Sequence, residues 1–191
     1  MDSRSHRRTS RGITLLELVT VMSIVAILMA IAIPSYKYVT NGNRIAAEIN
    51  GLLGDMQYAR AEAIKEGQTV TVCASSNGTS CLAATTTTWN TGWIVFSDVN
   101  GDHTVEAQDA VLRVQSGFTS TDTFTSNNTV GYVTFNREGF ATGTNGMATG
   151  VLITLHAAPA STASTRCLSL TMVGLMTVQT YNTTSNGMTC L

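Results

Sequence analysis

Between β-type segments the chain reads DVNGDHTVEAQD, and side chains with oxygen donors fall at regular places along it. Asp98, Asn100, Asp102, Thr104, Glu106 and Asp109 take the first, third, fifth, seventh, ninth and twelfth places, the spacing with which EF-hand-type loops surround Ca²⁺. Three features depart from that pattern. His103 stands where such loops want glycine, Asp109 is a carbon shorter than the usual bidentate glutamate, and the flanks read as strands rather than helices. The alternative is a metal-free polar hairpin turning at Asn100-Gly101. Calcium at this loop is the sole cofactor the sequence raises, and the metal-free hairpin needs none.

The cysteines form a second group: Cys73, Cys81, Cys167 and Cys190, separated by 8, 86 and 23 residues. Zinc sites use closely paired C-x2–4-C knuckles, which these spacings lack, so disulfides are the reading. Three connectivities exist. The local one, Cys73 with Cys81 and Cys167 with Cys190, closes two loops on neighbouring elements and is the expectation here. The three histidines, His6, His103 and His156, have no nucleophile motif or phosphate-binding loop beside them, and each reads as a surface residue. The chain is therefore expected not to be an enzyme.

The remaining reactive group is Glu17, a carboxylate inside the apolar run Ile13–Ile33. At about 1.5 Å per helical residue that run can cross the roughly 30 Å hydrocarbon core of a bilayer. A carboxylate inside it costs about 2.5–3.5 kcal/mol on insertion scales. Taken alone, Glu17 could be tolerated by snorkelling to the membrane surface. Arg4, Arg7, Arg8 and Arg11 precede the run, and the positive-inside rule keeps them in the cytoplasm and sends the chain beyond Ile33 across the membrane. The apolar run is longer than a cleaved signal's and lacks a clear small-x-small site after it, so it reads as a retained anchor. The exported side is oxidising in bacteria, in keeping with bridged cysteines.

Beyond the anchor the helical period persists. Ile45, Ile49, Leu52, Met56, Ala59 and Ala63 recur at steps of four and three and make one apolar stripe, while Arg44, Glu48, Asp55, Arg60, Glu62 and Lys65 take the other faces. Pro34 removes a backbone donor and should bend the helix near the membrane surface; Gly67 should end it. The pattern then turns to short runs rich in Val, Ile, Thr and aromatics: 69–74, 93–97, 110–115, 130–136, 151–156, 167–172 and 175–180. These predict antiparallel sheet packed on the helix stripe. Trp89, Trp93, Phe96, Tyr132 and Phe135 are expected to pack in it, and 84–90, 119–129 and 157–165 are expected to be exposed loops.

Taken together, a basic leader ending in Gly12, an apolar start at Ile13, Glu17 as the fifth residue after Gly12, and Pro34 near the membrane exit resemble a type IV prepilin or type II secretion pseudopilin. MQYARAEAIKEGQTVTVCASSNGTSC, WNTGWIVFSDVNGD, AVLRV and VTFNREGFATG resemble the FimT/GspH group of minor pilins, and the likeness runs over nearly the whole chain. The resemblance implies a type IV pilin-like α+β fold. Its expected segments are a leader at 1–12, a transmembrane assembly helix at 13–33, an amphipathic second half at 34–66 and an extracytoplasmic β domain at 67–191. It also implies cleavage by a prepilin peptidase between Gly12 and Ile13, N-methylation of Ile13, and pairing of Glu17 with the new ammonium of a neighbouring subunit. The chain would sit in the inner membrane as a single-pass protein with its C-terminal domain in the periplasm, before joining other minor and major pilins or pseudopilins.

Two functions are implied by that resemblance: a structural subunit of a tip or priming complex, or a tip subunit that captures DNA. DNA-capturing members carry Gly-Arg-x-Arg between the last two cysteines. Here the matching place reads Val173-Gly174-Leu175-Met176-Thr177, without the arginines. After residue 12 the chain holds 7 basic and 11 acidic residues, a balance with no general attraction for phosphate. DNA is therefore not the expected partner.

Overall fold

The computed structural model describes residues 12–143 and 150–191. Helix α1 spans Leu15–Glu66, and its helical backbone passes through Pro34 and through Gly42, Gly51 and Gly54. The chain divides into two compact units, one ending at Thr40 and the other running Asn41–Leu191. In the first, the side chains from Ile13 to Ile33 are exposed. An 18-residue window of α1 has a mean hydropathy of 2.6 and no buried share, long and apolar enough for a membrane span.

In the second unit the expected stripe is the core face of α1: Ile45, Ile49, Leu52, Met56, Ala59 and Ala63 are all buried. Gly67 closes the helix in the left-handed region at φ +69°, its N–H donating to Ala63 O at 3.0 Å. Eleven strands come after it among the described residues. β1 (Val70–Ala74), β2 (Gly92–Ser97), β3 (Val111–Ser116), β5 (Tyr132–Phe135) and β6 (Ala141–Gly143) make an antiparallel sheet in the order β3-β2-β1-β5-β6. β4 (Thr123–Ser126), β7 (Val151–His156), β8 (Arg166–Leu170) and β9 (Met176–Thr180) make a second, in the order β4-β7-β8-β9, and β10 (Thr184–Ser185) pairs with β11 (Met188–Thr189).

Both sheets bury one face against the α1 stripe. Val70, Val72, Trp93, Val95 and Phe135 from the first sheet share a core with Phe124, Ile153, Leu155 and Leu168 from the second. The antiparallel registers explain it. Val72 lies opposite Val95 on one side and Val133 on the other, so period-2 alternation sends all three toward the helix. The intervening residues, Cys73, Ile94 and Phe96, form a smaller apolar cluster on the opposite face, covered by Cys81, Val105 and Tyr132. β1 and β2 are thus buried on both faces.

Two expected loops differ from the sequence reading. The stretch 119–129 contains β4, with Phe124 in the core and Asp122 buried. In 84–90, Trp89 is fully buried, as expected of it, and its indole N–H donates to Val130 O at 3.0 Å, so the segment expected to be an exposed loop is pinned at its end. A Thr/Ser-rich composition marked these segments as exposed, but single aromatic residues hold them down.

Candidate assembly and processing site

At the N-terminal end, Gly12 and Ile13 lie before the helix, exposed and without regular structure. Thr14 caps α1, its Oγ1 accepting the Glu17 N–H at 3.2 Å. Thr14-Leu15-Leu16-Glu17 is the S/T-x-x-E pattern of a capping box, a signal in the sequence that hydropathy alone does not register. The cap fixes where the helix begins, so the Gly12–Ile13 peptide bond stays outside the helix, beside its start. Glu17 is in the first turn, where the positive end of the helix dipole favours a carboxylate. Around it lie Ile13, just before the helix, and Leu15, Leu16, Leu18, Val19 and Val21 on it, each more than half exposed. The leader arginines Arg4, Arg7, Arg8 and Arg11, with His6, lie outside the described residues.

In the Asn41–Leu191 unit, the bridges are Cys73–Cys81 and Cys167–Cys190, and no described cysteine is free. The first ties β1 to the following loop. The second joins β8 to the C-terminal segment after β11. Charged residues of α1 also bind the sheets rather than only water. Arg44 is bidentate to buried Asp122 (2.7 and 2.8 Å), and Asp55 accepts the Trp93 indole N–H at 2.9 Å and pairs with Arg113 at 2.9 Å. Arg60 donates to Gly139 O at 2.9 Å and to Val173 O at 3.2 Å, and so holds the turn that carries Gly174.

The acidic loop joins β2 to β3 as the outer hairpin of its sheet. It is a long turn rather than a tight one at Asn100-Gly101. Asp98 is buried, its Oδ2 accepting from Thr71 Oγ1 at 2.8 Å and from the His103 N–H at 3.1 Å. Asn100 and Asp102 accept the amides two residues on, from Asp102 and Thr104, at 3.4 and 2.8 Å. Asp109 accepts the Val99 and Glu106 amides at 3.1 and 2.9 Å. His103 is half-buried rather than a free surface residue. It stacks on Tyr132 with ring centroids 4.0 Å apart, and its Nδ1 lies 3.0 Å from Thr134 Oγ1. Burial, with the nearby Asp98 charge, pushes the Tyr132 phenol upward. His156 lies apart, its Nδ1 3.4 Å from Thr165 Oγ1.

A capped N-terminal helix with an exposed apolar first half, continued by an amphipathic half under disulfide-bridged antiparallel sheets, defines a type IV pilin-like subunit. Residues 7–33 match the prokaryotic N-terminal methylation motif, and residues 48–174 match the family described as type II transport protein GspH. The chain belongs to the GspH family: it is a minor pilin or pseudopilin, a structural protein and not an enzyme. Crystal structures of the type IV minor pilin FimU from Pseudomonas aeruginosa PAO1, in two crystal forms, share its fold. One is 23% identical with a TM-score of 0.50, over 72% of this chain and 91% of that one. The other is 21% identical with a TM-score of 0.53, over 75% and 92%. No curated protein matches the chain at a significant level.

Proposed function

We propose that the chain is a minor subunit of the tip or priming complex of a type IV pilus or type II secretion pseudopilus. The observation that carries this reading is the first half of α1: a lone carboxylate, Glu17, on a helix whose apolar side chains from Ile13 to Ile33 are exposed. Lipid covers those side chains before assembly, and the corresponding helices of other pilins cover them afterwards. Prepilin peptidase cuts between Gly12 and Ile13 and the new amine is methylated. An ammonium at that depth on a neighbouring subunit offsets the cost of burying Glu17, so assembly is favoured only in the register that brings the two together.

The segments then have separate tasks: 1–12 as leader, 13–33 as membrane and assembly helix, 34–66 as the amphipathic continuation beyond a bend at Pro34, and 67–191 as the periplasmic domain. FimU, which shares the fold, is a type IV minor pilin, and a minor-pilin assignment for this chain agrees with that. The test is immunogold labelling of sheared filaments. Label at one end, lost in Glu17→Ala although that variant is still processed, is the expected result. Label along the shaft, or end labelling undiminished in Glu17→Ala, contradicts it.

A further inference from the structure

The Asp98–Asp109 loop carries features that assembly through α1 does not use. Four of its residues are acidic, Asp98, Asp102, Glu106 and Asp109. Its fourth and sixth places, Gly101 and His103, are left-handed at φ +73° and +64°. His103 thereby supplies the sharp turn for which glycine is usual. Val105 packs against the apolar cluster of Cys73, Ile94 and Phe96 and anchors the loop's second half.

The independent observation is Asp98. It is 0% exposed, and although its Oδ2 receives the amide of the sixth loop position, its Oδ1 has no hydrogen-bond partner. A buried carboxylate oxygen with no donor is costly, and native structures rarely leave one. Oδ2 of this carboxylate is held by the Thr71 hydroxyl and the His103 N–H, with His103 Nδ1 3.3 Å away, so the sixth loop position packs against the carboxylate that carries the unpartnered oxygen. Nearby, the Asn100 amide nitrogen stands 2.9 Å from Asp102 Oδ2 and 3.3 Å from Glu106 Oε2, a positive dipole between two carboxylates.

We propose that this loop is a low-affinity Ca²⁺ site. Among the described residues no three acidic, histidine or cysteine side chains already converge. The ion therefore has to draw them in. Turning the Asn100 amide toward the ion gives up the long 3.4 Å contact of its Oδ1 and, at its nitrogen, the contacts to Asp102 Oδ2 and Glu106 Oε2, which releases both carboxylates. Asp98 Oδ1, Asn100 Oδ1, Asp102, the Thr104 carbonyl and Glu106 then supply oxygen, at the spacing Ca²⁺ takes. Asp109 has a different part. Both its oxygens accept backbone amides, so it ties the loop shut instead of clamping the ion from two sides, and water completes the shell. Losing the bidentate ligand sets the affinity at the weak end, where extracellular concentrations suffice.

The test is calorimetry on the full chain in non-ionic detergent, stripped with EDTA and titrated with CaCl2 and, separately, MgCl2. One Ca²⁺ per chain with Kd about 10⁻⁴–10⁻³ M is expected, with Mg²⁺ at least about tenfold weaker because it demands rigid octahedral geometry. Asp98 is a core residue whose replacement endangers folding, so the variants are Asp102→Ala and Glu106→Ala, both exposed. Each should weaken Ca²⁺ at least about tenfold while Tm in EDTA stays that of the unmodified chain. No saturable heat up to about 10 mM Ca²⁺, above the weakest such sites, or wild-type binding in either variant, overturns the proposal.

Discussion

Arg44, Glu48 and Asp122 show opposite electrostatic effects within one cluster. Burial works against ionisation of Asp122, but the Ala158 amide and the Arg44 guanidinium outweigh it and hold the carboxyl below its usual range. Glu48 is pushed upward, by burial first and by the Asp122 charge second, with Arg44 opposing. The signs follow from linkage. Asp122 contributes stability above its ordinary pKa of 3.8, lost as pH falls through the lowered folded value. Glu48 contributes below 4.5, and that contribution is lost as pH rises through the raised folded value. Urea unfolding should therefore find Arg44→Ala destabilised by about 3 kcal/mol at neutral pH, because it strands a buried carboxylate. Glu48→Gln should gain stability at pH 7 and none below pH 4; with Glu48 only half-buried, the gain stays below about 1 kcal/mol. A loss at pH 7 would contradict this account of Glu48.

Among the elements, α1 was the most legible, because burial on one side of a helix leaves a 3.6-residue period that needs no knowledge of the partner. Long strands rich in β-branched residues were legible for a similar reason. β4 and β6 were not: Thr123–Ser126 and Ala141–Gly143 are short, and pairing with β7 and β5 rather than their own composition makes them strands. The same limit applied to the site. Cys73–Cys81 and Cys167–Cys190 followed from closeness in sequence, whereas the burial of Asp98 and the pairing of Arg44 with Asp122 arise only from tertiary contact. Loop closure predicts that the bridges differ in worth. Spanning 8 and 23 residues, they should contribute about 2.5 and 3.4 kcal/mol by restricting the unfolded chain. In denaturant unfolding, the Cys167→Ala/Cys190→Ala pair should thus lose about 1 kcal/mol more than Cys73→Ala/Cys81→Ala; the reverse order would mean native packing, not chain entropy, sets their value.

For the whole molecule, charge separates a structural subunit from a DNA-capturing one. From Gly67 onward the basic residues are Arg113, Arg137 and Arg166, against six acidic ones. Arg113 and Arg137 are paired with Asp55 and Glu138, and the Gly174 turn offers Val173 and Leu175 rather than guanidinium groups. Residues 41–191 should bind duplex DNA no better than about 10⁻⁴ M near physiological salt. Micromolar binding that weakens steeply with salt and with Arg166→Ala would contradict that. The central claim, that this is a prepilin built to be cut and inserted into a filament, is tested most directly by the mass of its N-terminal peptide. Recovered from membranes of cells that carry a prepilin peptidase, the chain should begin at Ile13 with one added methyl group, and Gly12→Ala should keep its leader. A mature terminus elsewhere, or an intact leader on filament-incorporated protein, would contradict it.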